Sequence, residues 1–499
     1  MRSLRFLILV TTMALASAVR AADPPGSDAA TQQRIEKLER ELNALKADTR
    51  KAGATDAEPA AAPADTATDQ RIEKLEAENK QLKTDTRKLE VSSEETAKLK
   101  PIAGWDNGFF LQSPDGQNKL NVGGYVHFDG RYFLNSEDTG TSQFLIRRAR
   151  LVLAGKFLKY YEFKFMPDFA GGQVVIQDAY LNVNYVPWAR LQAGKYKTPF
   201  GIERLQSANA LMFVERSLAN NLVPNRDLGF MLWGQPFYGA LEYELAIMDG
   251  VVDGGSDNTD NDISDAKIFA GRLFFLPFKD REFEPLRGFG FGIAGTAGRE
   301  NGSVGNPRTP KYVSDGQQTF FSYVTNTPAT SSGTVFAFGP QWRISPQAYW
   351  YWGQFGFLGE WNQSNNTFKL NKQANNVRAN AWQAQVSWVV TGEDNTYRGT
   401  TPAKNFDPWR FFDGAWGAVE IAGRYANLSV GKNVYTLGLA DRNKSAREAS
   451  SWAIGVNWYL NKMVRLMLDY DDTTFTGGAK NNGDRPNEEV IMSRVQFVF

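Results

Sequence analysis

The 499-residue chain contains no cysteine and only one histidine, His127. The absence of cysteine excludes disulfides, thiolate metal sites, iron–sulfur clusters and cysteine nucleophiles. A single histidine argues against a histidine-cluster metal site and against a histidine-based catalytic triad, so we expect neither an enzyme nor a cofactor. Basic and acidic side chains number 56 and 55, and this balance gives no reason to expect binding to nucleic acid.

Long apolar runs are also scarce, and the mean hydropathy is −0.42. The one clear run is Phe6–Leu15, which follows Arg2 and Arg5 and precedes small residues. This order predicts a signal peptide at residues 1–22 and export of the chain. The alternative, a transmembrane anchor, needs about 20 apolar residues, and this run is shorter. With no other long apolar run in the chain, a helical multi-span membrane protein is excluded.

Aromatic residues are almost absent from the first 104 positions. Phe6 is the only one before Trp105, although the chain has 13 Trp, 18 Tyr and 34 Phe. This shift in composition predicts two physically different parts, residues 23–104 and residues 105–499.

The first part carries a repeated heptad pattern. QRIEKLE occurs at Gln33–Glu39 and at Gln70–Glu76, and an Ala/Pro-rich linker joins the two copies. Steps of three and four residues predict the apolar seam of a coiled coil. The seam positions are Ile35, Leu38, Leu42 and Leu45, and then Ile72, Leu75, Asn79, Leu82, Thr86 and Leu89.

The oligomeric state of this coiled coil follows from two conflicting signals. Isoleucine at a with leucine at d favours two strands. RIEKLE resembles the Arg-x-x-x-x-Glu motif of short trimeric coiled coils and occurs twice, so we favour a trimer. The alternative is a solvated single helix or a hairpin within one chain.

The second part alternates between apolar and polar residues with a period of two. For example, Leu151 and Leu153 alternate with Arg148, Arg150 and Val152. Strands with one apolar face build either a soluble sandwich or a membrane barrel whose apolar face meets lipid. Three features favour the outer-membrane barrel. They are the signal peptide, a last strand that ends on Phe499, and short connections that alternate with long polar ones, the expected extracellular loops, such as Asp253–Asp265, Asn301–Ser332 and Lys432–Ala449.

The same pattern locates sixteen strands, which is the size of a porin with an aqueous channel. The fold class is therefore an all-β, 16-stranded antiparallel transmembrane barrel preceded by a short periplasmic coiled coil. The predicted strands lie near 118–134, 143–157, 160–170, 173–186, 188–197, 228–234, 237–249, 266–278, 287–299, 333–351, 353–364, 378–392, 414–428, 450–460, 463–475 and 489–499.

Several segments resemble the phosphate-selective porin O/P family. The most specific is GKYKTPFGIERLQSANALMFVERSL, supported by IRRARLVLAGKF, DAYLNVNY and VVTGEDNTY. The resemblance implies a homotrimeric porin in the bacterial outer membrane whose third loop, here Thr198–Arg226, folds into the pore. It also implies uptake of small anions, phosphate or polyphosphate, along a ladder of arginines and lysines.

The resemblance assigns candidate anion-binding residues one by one. Family positions with the same chemistry fall on Arg147, Arg148, Arg204, Ser207 and Arg216, and the central acidic residue falls within one position of Asp178. The chain departs from the family at Tyr125, where the family has arginine, at Arg150 and Lys197, where it has tyrosine, and at Ala208, where it has serine. Arg150 and Lys197 join the candidates because they keep the segment basic.

The residues themselves agree with this assignment. Arg148 and Arg150 lie on the lumen side of their strand by parity, and basic side chains that line a pore favour anions. The alternative is that these two arginines pair with Glu203, Glu215 or Asp178 and only brace the loop. For Arg204 and Arg216 the alternative is a structural ion pair with the glutamate that precedes each of them, Glu203 and Glu215. The apolar run Ala210–Val214 is too hydrophobic for a water-exposed outer loop, and it predicts packing against an interior wall.

We therefore predict an anion-favouring aqueous channel in contact with outer-membrane lipid. The alternative function is a tether in which the coiled coil contacts the cell wall and the pore is weakly selective.

Overall fold

A computed structural model describes residues 27–52, 64–134, 140–258, 265–326 and 333–499. By their contacts, the residues divide after Lys100 into two units. The predicted signal peptide lies outside the described residues and stays a prediction.

The first unit contains helices α1, Ser27–Ala52, and α2, Ala64–Leu99. The half-buried side chains include those of the predicted seam, such as Ile35 and Leu38, and Asn79 is buried. The helices contact each other within one chain, and Nη2 of Arg34 lies 3.4 Å from Glu78. This is the pairing that the alternative described, and a coiled coil between chains stays a prediction. No helix in the described ranges is long and apolar enough to cross a membrane.

The second unit begins with a hairpin and continues as a closed antiparallel barrel. Strands β1 and β2 form the hairpin, and the sixteen barrel strands are β3–β11 and β14–β20, with β20 paired to β3. Strands β12 and β13 form a separate hairpin inside one loop. The strands are β1 Ile102–Trp105, β2 Phe109–Gln112, β3 Lys119–Phe133, β4 Gln143–Phe157, β5 Tyr161–Asp168, β6 Val175–Val186, β7 Ala189–Lys197, β8 Arg226–Gly234, β9 Leu241–Met248, β10 Ile268–Phe275, β11 Phe289–Asn301, β12 Lys311–Val313, β13 Thr319–Ser322, β14 Val335–Trp352, β15 Phe355–Leu370, β16 Gln373–Val389, β17 Ala418–Val430, β18 Ala446–Tyr459, β19 Val464–Gly477 and β20 Glu488–Val498.

The sixteen predicted strands are confirmed, each displaced by only a few residues. The hairpin β1–β2, whose second strand pairs with β3, and the hairpin β12–β13 were not predicted, because three or four residues are too few to show a period. Three short helices lie in connections: α3 Ile202–Leu205, α4 Glu284–Arg287 and α5 Asn433–Thr436.

The barrel wall is apolar outside and polar inside, which is the arrangement of a membrane barrel. Phe230 and Phe269 on the outer face are 72% and 62% exposed. On the inner face Arg494 and Asp129 are fully buried, and two guanidinium nitrogens each lie 2.7 Å from a carboxylate oxygen. Each buried charge therefore has a partner of opposite sign, without which its burial would be strongly destabilising.

Two of the predicted outer loops fold into the lumen. Asp253 was predicted in a polar loop but is buried, because Nε of Arg343 on β14 lies 2.7 Å from its carboxylate and Nδ2 of Asn366 on β15 donates at 2.9 Å. The hairpin β12–β13 likewise buries Tyr312 and Phe321 against the inner wall. These segments narrow one side of the lumen.

Candidate functional site

The third loop of the barrel joins β7 to β8 and comprises residues 198–225, since Arg226 already belongs to β8. Its apolar run is buried, as predicted. Phe213 packs against Ala422 and Ala453, and Val214 packs against Met467 and Met492. The loop therefore crosses the lumen and is held against the far wall by hydrophobic contact.

A cavity of about 840 Å³ remains between this loop and strands β3 to β9. Asn107 and Phe499 line it beside the barrel termini, and Asn225 and Ser256 line it beside the long loops. The structure brings all eight candidate residues to the wall of this one cavity. They are Arg147, Arg148, Arg150, Asp178, Lys197, Arg204, Ser207 and Arg216.

A β-bulge explains how two consecutive arginines both reach the lumen. His127 pairs with Arg148, whereas the next residue, Phe128, pairs with Ile146. Arg147 is therefore the extra residue of the bulge, and it turns inward although strict alternation would point it toward lipid. No local pattern of residues marks this bulge, and only the family resemblance selected Arg147.

Glu215 of the third loop neutralises the arginines of the wall. Its buried carboxylate lies 2.9 Å from Nη2 of Arg131, 3.8 Å from Nη2 of Arg148 and within hydrogen-bond distance of Arg147. Burial alone would raise the pKa of Glu215, but the attraction of Arg147, Arg148 and Arg131 outweighs it and lowers that pKa well below its usual range. Glu215 therefore stays ionised and fastens the loop to β3 and β4.

Glu203 is also occupied, but by uncharged donors. Its carboxylate accepts hydrogen bonds from the Ser217 hydroxyl at 2.8 Å, from Nε2 of Gln385 at 2.8 Å and from Nδ2 of Asn220. The suggested ion pairs of Arg204 with Glu203 and of Arg216 with Glu215 are therefore wrong. Each glutamate turns away from the arginine that follows it in the sequence.

Three cations at the cavity wall consequently have no carboxylate partner. Lys197 Nζ donates to the carbonyls of Leu205 and Gln206 at 3.1 and 3.0 Å. Arg204 donates to the Asn220 carbonyl at 3.1 Å, and Arg216 donates to those of Glu203 and Gln206 at 3.1 and 2.9 Å. We call Lys197, Arg204 and Arg216 the cationic trio; within the described ranges none of them forms a salt bridge.

The two arginines of the trio remain charged at neutral pH. Burial lowers the pKa of Arg204 to about 9 and that of Arg216 to about 10. Both values lie above 7, so the guanidinium groups keep their protons and their positive charge.

The other candidate charges are paired. Nε of Arg150 lies 2.7 Å from Asp168, and its Nη1 donates to the Tyr125 hydroxyl at 2.7 Å. Asp178 lies 2.8 Å from both Arg226 and Lys164. These groups form the ionic framework of the wall, and the alternative of a bracing role describes their contacts better than it describes those of the trio.

At Tyr125 and Arg150 the arginine and the tyrosine of the family have exchanged positions. The two residues are direct partners across β3 and β4. Where the family resemblance places arginine on the first strand and tyrosine on the second, this chain has the reverse. The wall therefore keeps one arginine and one tyrosine at this level.

His127 makes two contacts that were not predicted from the sequence. Its ring is fully buried, with Nδ1 3.2 Å from Nη1 of Arg148 and Nε2 3.0 Å from the side-chain oxygen of Asn209 in the third loop. A guanidinium can only donate, so Nδ1 accepts and the Nε2 proton is donated to Asn209. Ser207, nearby in the loop, is exposed, and its hydroxyl accepts from the Asn209 amide at 3.3 Å. His127 thus links Arg148 to the loop.

Comparison with known proteins gave a family and several structural neighbours. The family model of the phosphate-selective porins O and P matches residues 120–499. Porin O of Pseudomonas aeruginosa is 24% identical over 427 residues, which is 79% of this chain and 91% of that protein.

Two solved structures are similar in outline. The outer membrane channel DcaP of Acinetobacter baumannii has 10% identity and a TM-score of 0.49, over 80% of this chain and 100% of that one. An anion-selective porin from Comamonas acidovorans has 11% identity and a TM-score of 0.44, over 76% and 99%. The family match spans the whole barrel, and the chain belongs to the phosphate-selective porin O and P family.

Proposed function

We propose that this porin forms an anion-favouring aqueous channel in the bacterial outer membrane and that the cationic trio is its selectivity site. The observation that carries the proposal is the bonding of the trio. Among the described residues, Lys197, Arg204 and Arg216 donate to backbone carbonyls and form no salt bridge while they line the cavity. The charge of Arg204 and Arg216, which no carboxylate pairs with directly, attracts a passing anion and repels a cation.

The rest of the cavity wall supports the same sign of selectivity. Eight basic side chains line it, against the four acidic side chains of Asp106, Asp168, Asp178 and Glu244. Basic residues that line a pore favour anions. The ion pairs of the wall cancel locally, so the excess is concentrated at the third loop.

Phosphate is our proposed physiological anion. The planar guanidinium groups of Arg204 and Arg216 can each direct two donors at one oxyanion, a geometry that suits phosphate. Arg204 and Arg216 hold this potential on a loop that is fixed near its middle, where Glu215 pairs with the arginines of β3 and β4 and Val214 packs against Met467 and Met492.

We further propose that the assembly is a homotrimer and that residues 23–104 lie in the periplasm. Porin barrels can associate through their flat outer walls in a closed three-fold assembly. Detergent-solubilised protein that migrates as a trimer on an unboiled gel and as a monomer after boiling would support this. A single monomer band under both conditions would argue against it.

The channel proposal is tested in planar bilayers with the purified full chain. A chloride gradient should give a reversal potential of the sign set by anion permeation, and added phosphate should reduce the chloride current. A reversal potential of the cation sign at neutral pH would refute the proposal. Block by phosphate that is no stronger than block by sulfate would remove phosphate as the preferred anion.

A further inference from the structure

Two apolar clusters face the same cavity as the cationic trio. The first consists of Tyr125, Met166 and Ala208, with Val152 and Val498 packed against it. The second includes Tyr196 and Met231, with Tyr180 and Trp233 packed against it. Every one of these side chains lines the cavity. The lumen of a channel for small inorganic ions is usually polar, so apolar surface at its narrow part needs a reason.

The size of the cavity points in the same direction. Its volume is about 840 Å³. Pockets of roughly 300–1,000 Å³ are typical of sites for organic ligands, in which apolar walls and a few polar groups cooperate. A hydrated inorganic anion would use the charges and leave the apolar walls without a function.

Two buried polar atoms at the cavity wall have no hydrogen-bond partner within the described part of the chain. They are the hydroxyl oxygen of Tyr196 and Nε of Arg204. Leaving a buried polar group unpaired is destabilising, so such groups usually have a hydrogen-bond partner in the functional state. Tyr196 belongs to the second apolar cluster and Arg204 to the trio, so one unpaired polar atom lies at the apolar part of the cavity wall and one at the cationic part.

We propose that the cavity binds an organic anion that has a phosphate or carboxylate group and an aromatic body. The charged group binds the cationic trio, with Arg204 Nε as one donor. The aromatic body packs against the clusters around Met166 and Met231, and Tyr196 offers a hydrogen bond to a polar substituent. This inference rests on the proposed function, because the same trio attracts the charged group.

The test compares blockers that differ only in their body. Chloride current through the full-length protein is measured in planar bilayers while phenyl phosphate or methyl phosphate is added, and then benzoate or acetate. The aromatic member of a pair should halve the current at about tenfold lower concentration than the methyl member, a difference of about 1.4 kcal/mol. If the aromatic compound blocks better in just one of the two pairs, the proposal is supported and that pair identifies the charged group.

Variants then separate the apolar walls from the charges. Met166→Gln should reduce the phenyl-to-methyl ratio to about threefold or less, and Met231→Gln tests the second wall should the first variant fail to fold. Met463 lies in a turn outside the cavity, so Met463→Gln is the matched control and should keep the full ratio.

The failure of each idea has its own signature. Methyl phosphate and phenyl phosphate that block equally, in a channel that still favours anions, would overturn this inference alone. A channel without anion preference, blocked by none of the four compounds, would overturn the proposed function as well.

Discussion

Replacing Arg216 with glutamine tests whether the cationic trio sets the selectivity. Arg216 lines the cavity, and its guanidinium donates only to the carbonyls of Glu203 and Gln206. Glutamine can still donate to one of these carbonyls, so the loop should keep its path. The substitution removes one positive charge that forms no salt bridge within the described residues, although Glu203 and Glu215 act on it from a distance, and the anion preference should fall.

The size of this fall follows from Coulomb's law. A unit charge about 4 Å from a passing ion contributes about 1 kcal/mol even in a medium with the dielectric constant of water. Neutralising Arg216 removes this attraction for an anion and the equal repulsion for a cation, a difference of about 2 kcal/mol. The anion-to-cation permeability ratio should therefore fall roughly 30-fold.

The assay is the reversal potential in a potassium chloride gradient at low ionic strength. Salt at about 1 M screens charges beyond roughly 3 Å and would hide the effect. The matched control is the double variant Arg150→Gln with Asp168→Asn, which removes a pair of opposite charges from the same cavity wall. Because its net charge is unchanged, its selectivity should stay within about twofold of the native protein.

The reasoning is refuted if Arg216→Gln keeps the native permeability ratio while the protein still forms channels of normal number. Equal losses in Arg216→Gln and in the charge-neutral double variant would also refute it. In that case the ionic framework of the wall, and not the uncompensated trio, would determine selectivity.

Three further predictions concern the groups around the trio. Glu215→Gln should raise the anion preference, because the three arginines that share this carboxylate lose their counter-charge. A reversal potential that indicates a lower anion preference than that of the native protein would contradict this. The contribution of Arg204 and Arg216 to the anion preference should be constant between about pH 5 and pH 8: burial lowers the pKa of Arg204 to about 9 and that of Arg216 to about 10, so both remain charged throughout. The pKa of Glu215 is held below its usual range, so its stabilising ion pairs are present above that range and are lost only in stronger acid; a loss of anion preference in Arg216→Gln that halves between the two ends of this pH range argues against these assignments. His127→Ala should lower the stability of the folded barrel by about 1–3 kcal/mol, because Arg148 loses a buried acceptor, and thermal unfolding in detergent measures it; an unchanged midpoint would show that the contact is dispensable.

The barrel could be predicted from the sequence because its wall obeys one simple rule. Each strand alternates between a lipid face and a lumen face, so the period of two marks every strand that is long enough to repeat it. Leu151 and Leu153 point outward and Arg148 and Arg150 inward by this rule alone. The hairpin β1–β2 and the hairpin β12–β13 escape it because each strand has only three or four residues.

The paths of the loops could be predicted only where composition was unusual. The run Ala210–Val214 indicated insertion because apolar side chains leave water wherever they can. Asp253 gave the opposite impression, since an acidic residue in a polar stretch is typical of an exposed loop. Its burial depends on Arg343, which is 90 residues away and has no sequence signal that links it to Asp253.

Neighbouring charges misled the sequence interpretation of the site, and backbone geometry explains why. Glu203 and Arg204 lie in the short helix α3, where residues i and i+1 do not face each other. Glu215 and Arg216 are consecutive in an irregular stretch, and their side chains diverge, one to the wall and one toward the cavity.

Because the two residues of each pair are consecutive and their side chains diverge, the carboxylate and the guanidinium lie on opposite sides of the loop. The carboxylates Glu203 and Glu215 hold the loop in place from its buried side, by hydrogen bonds to Gln385 and by ion pairs with the wall arginines. The guanidinium groups of Arg204 and Arg216 remain on the cavity side with only carbonyl partners. An acidic residue beside each arginine fixes the loop without neutralising the arginine, and this division of work lets an almost neutral chain present a concentrated positive charge at one point of its pore.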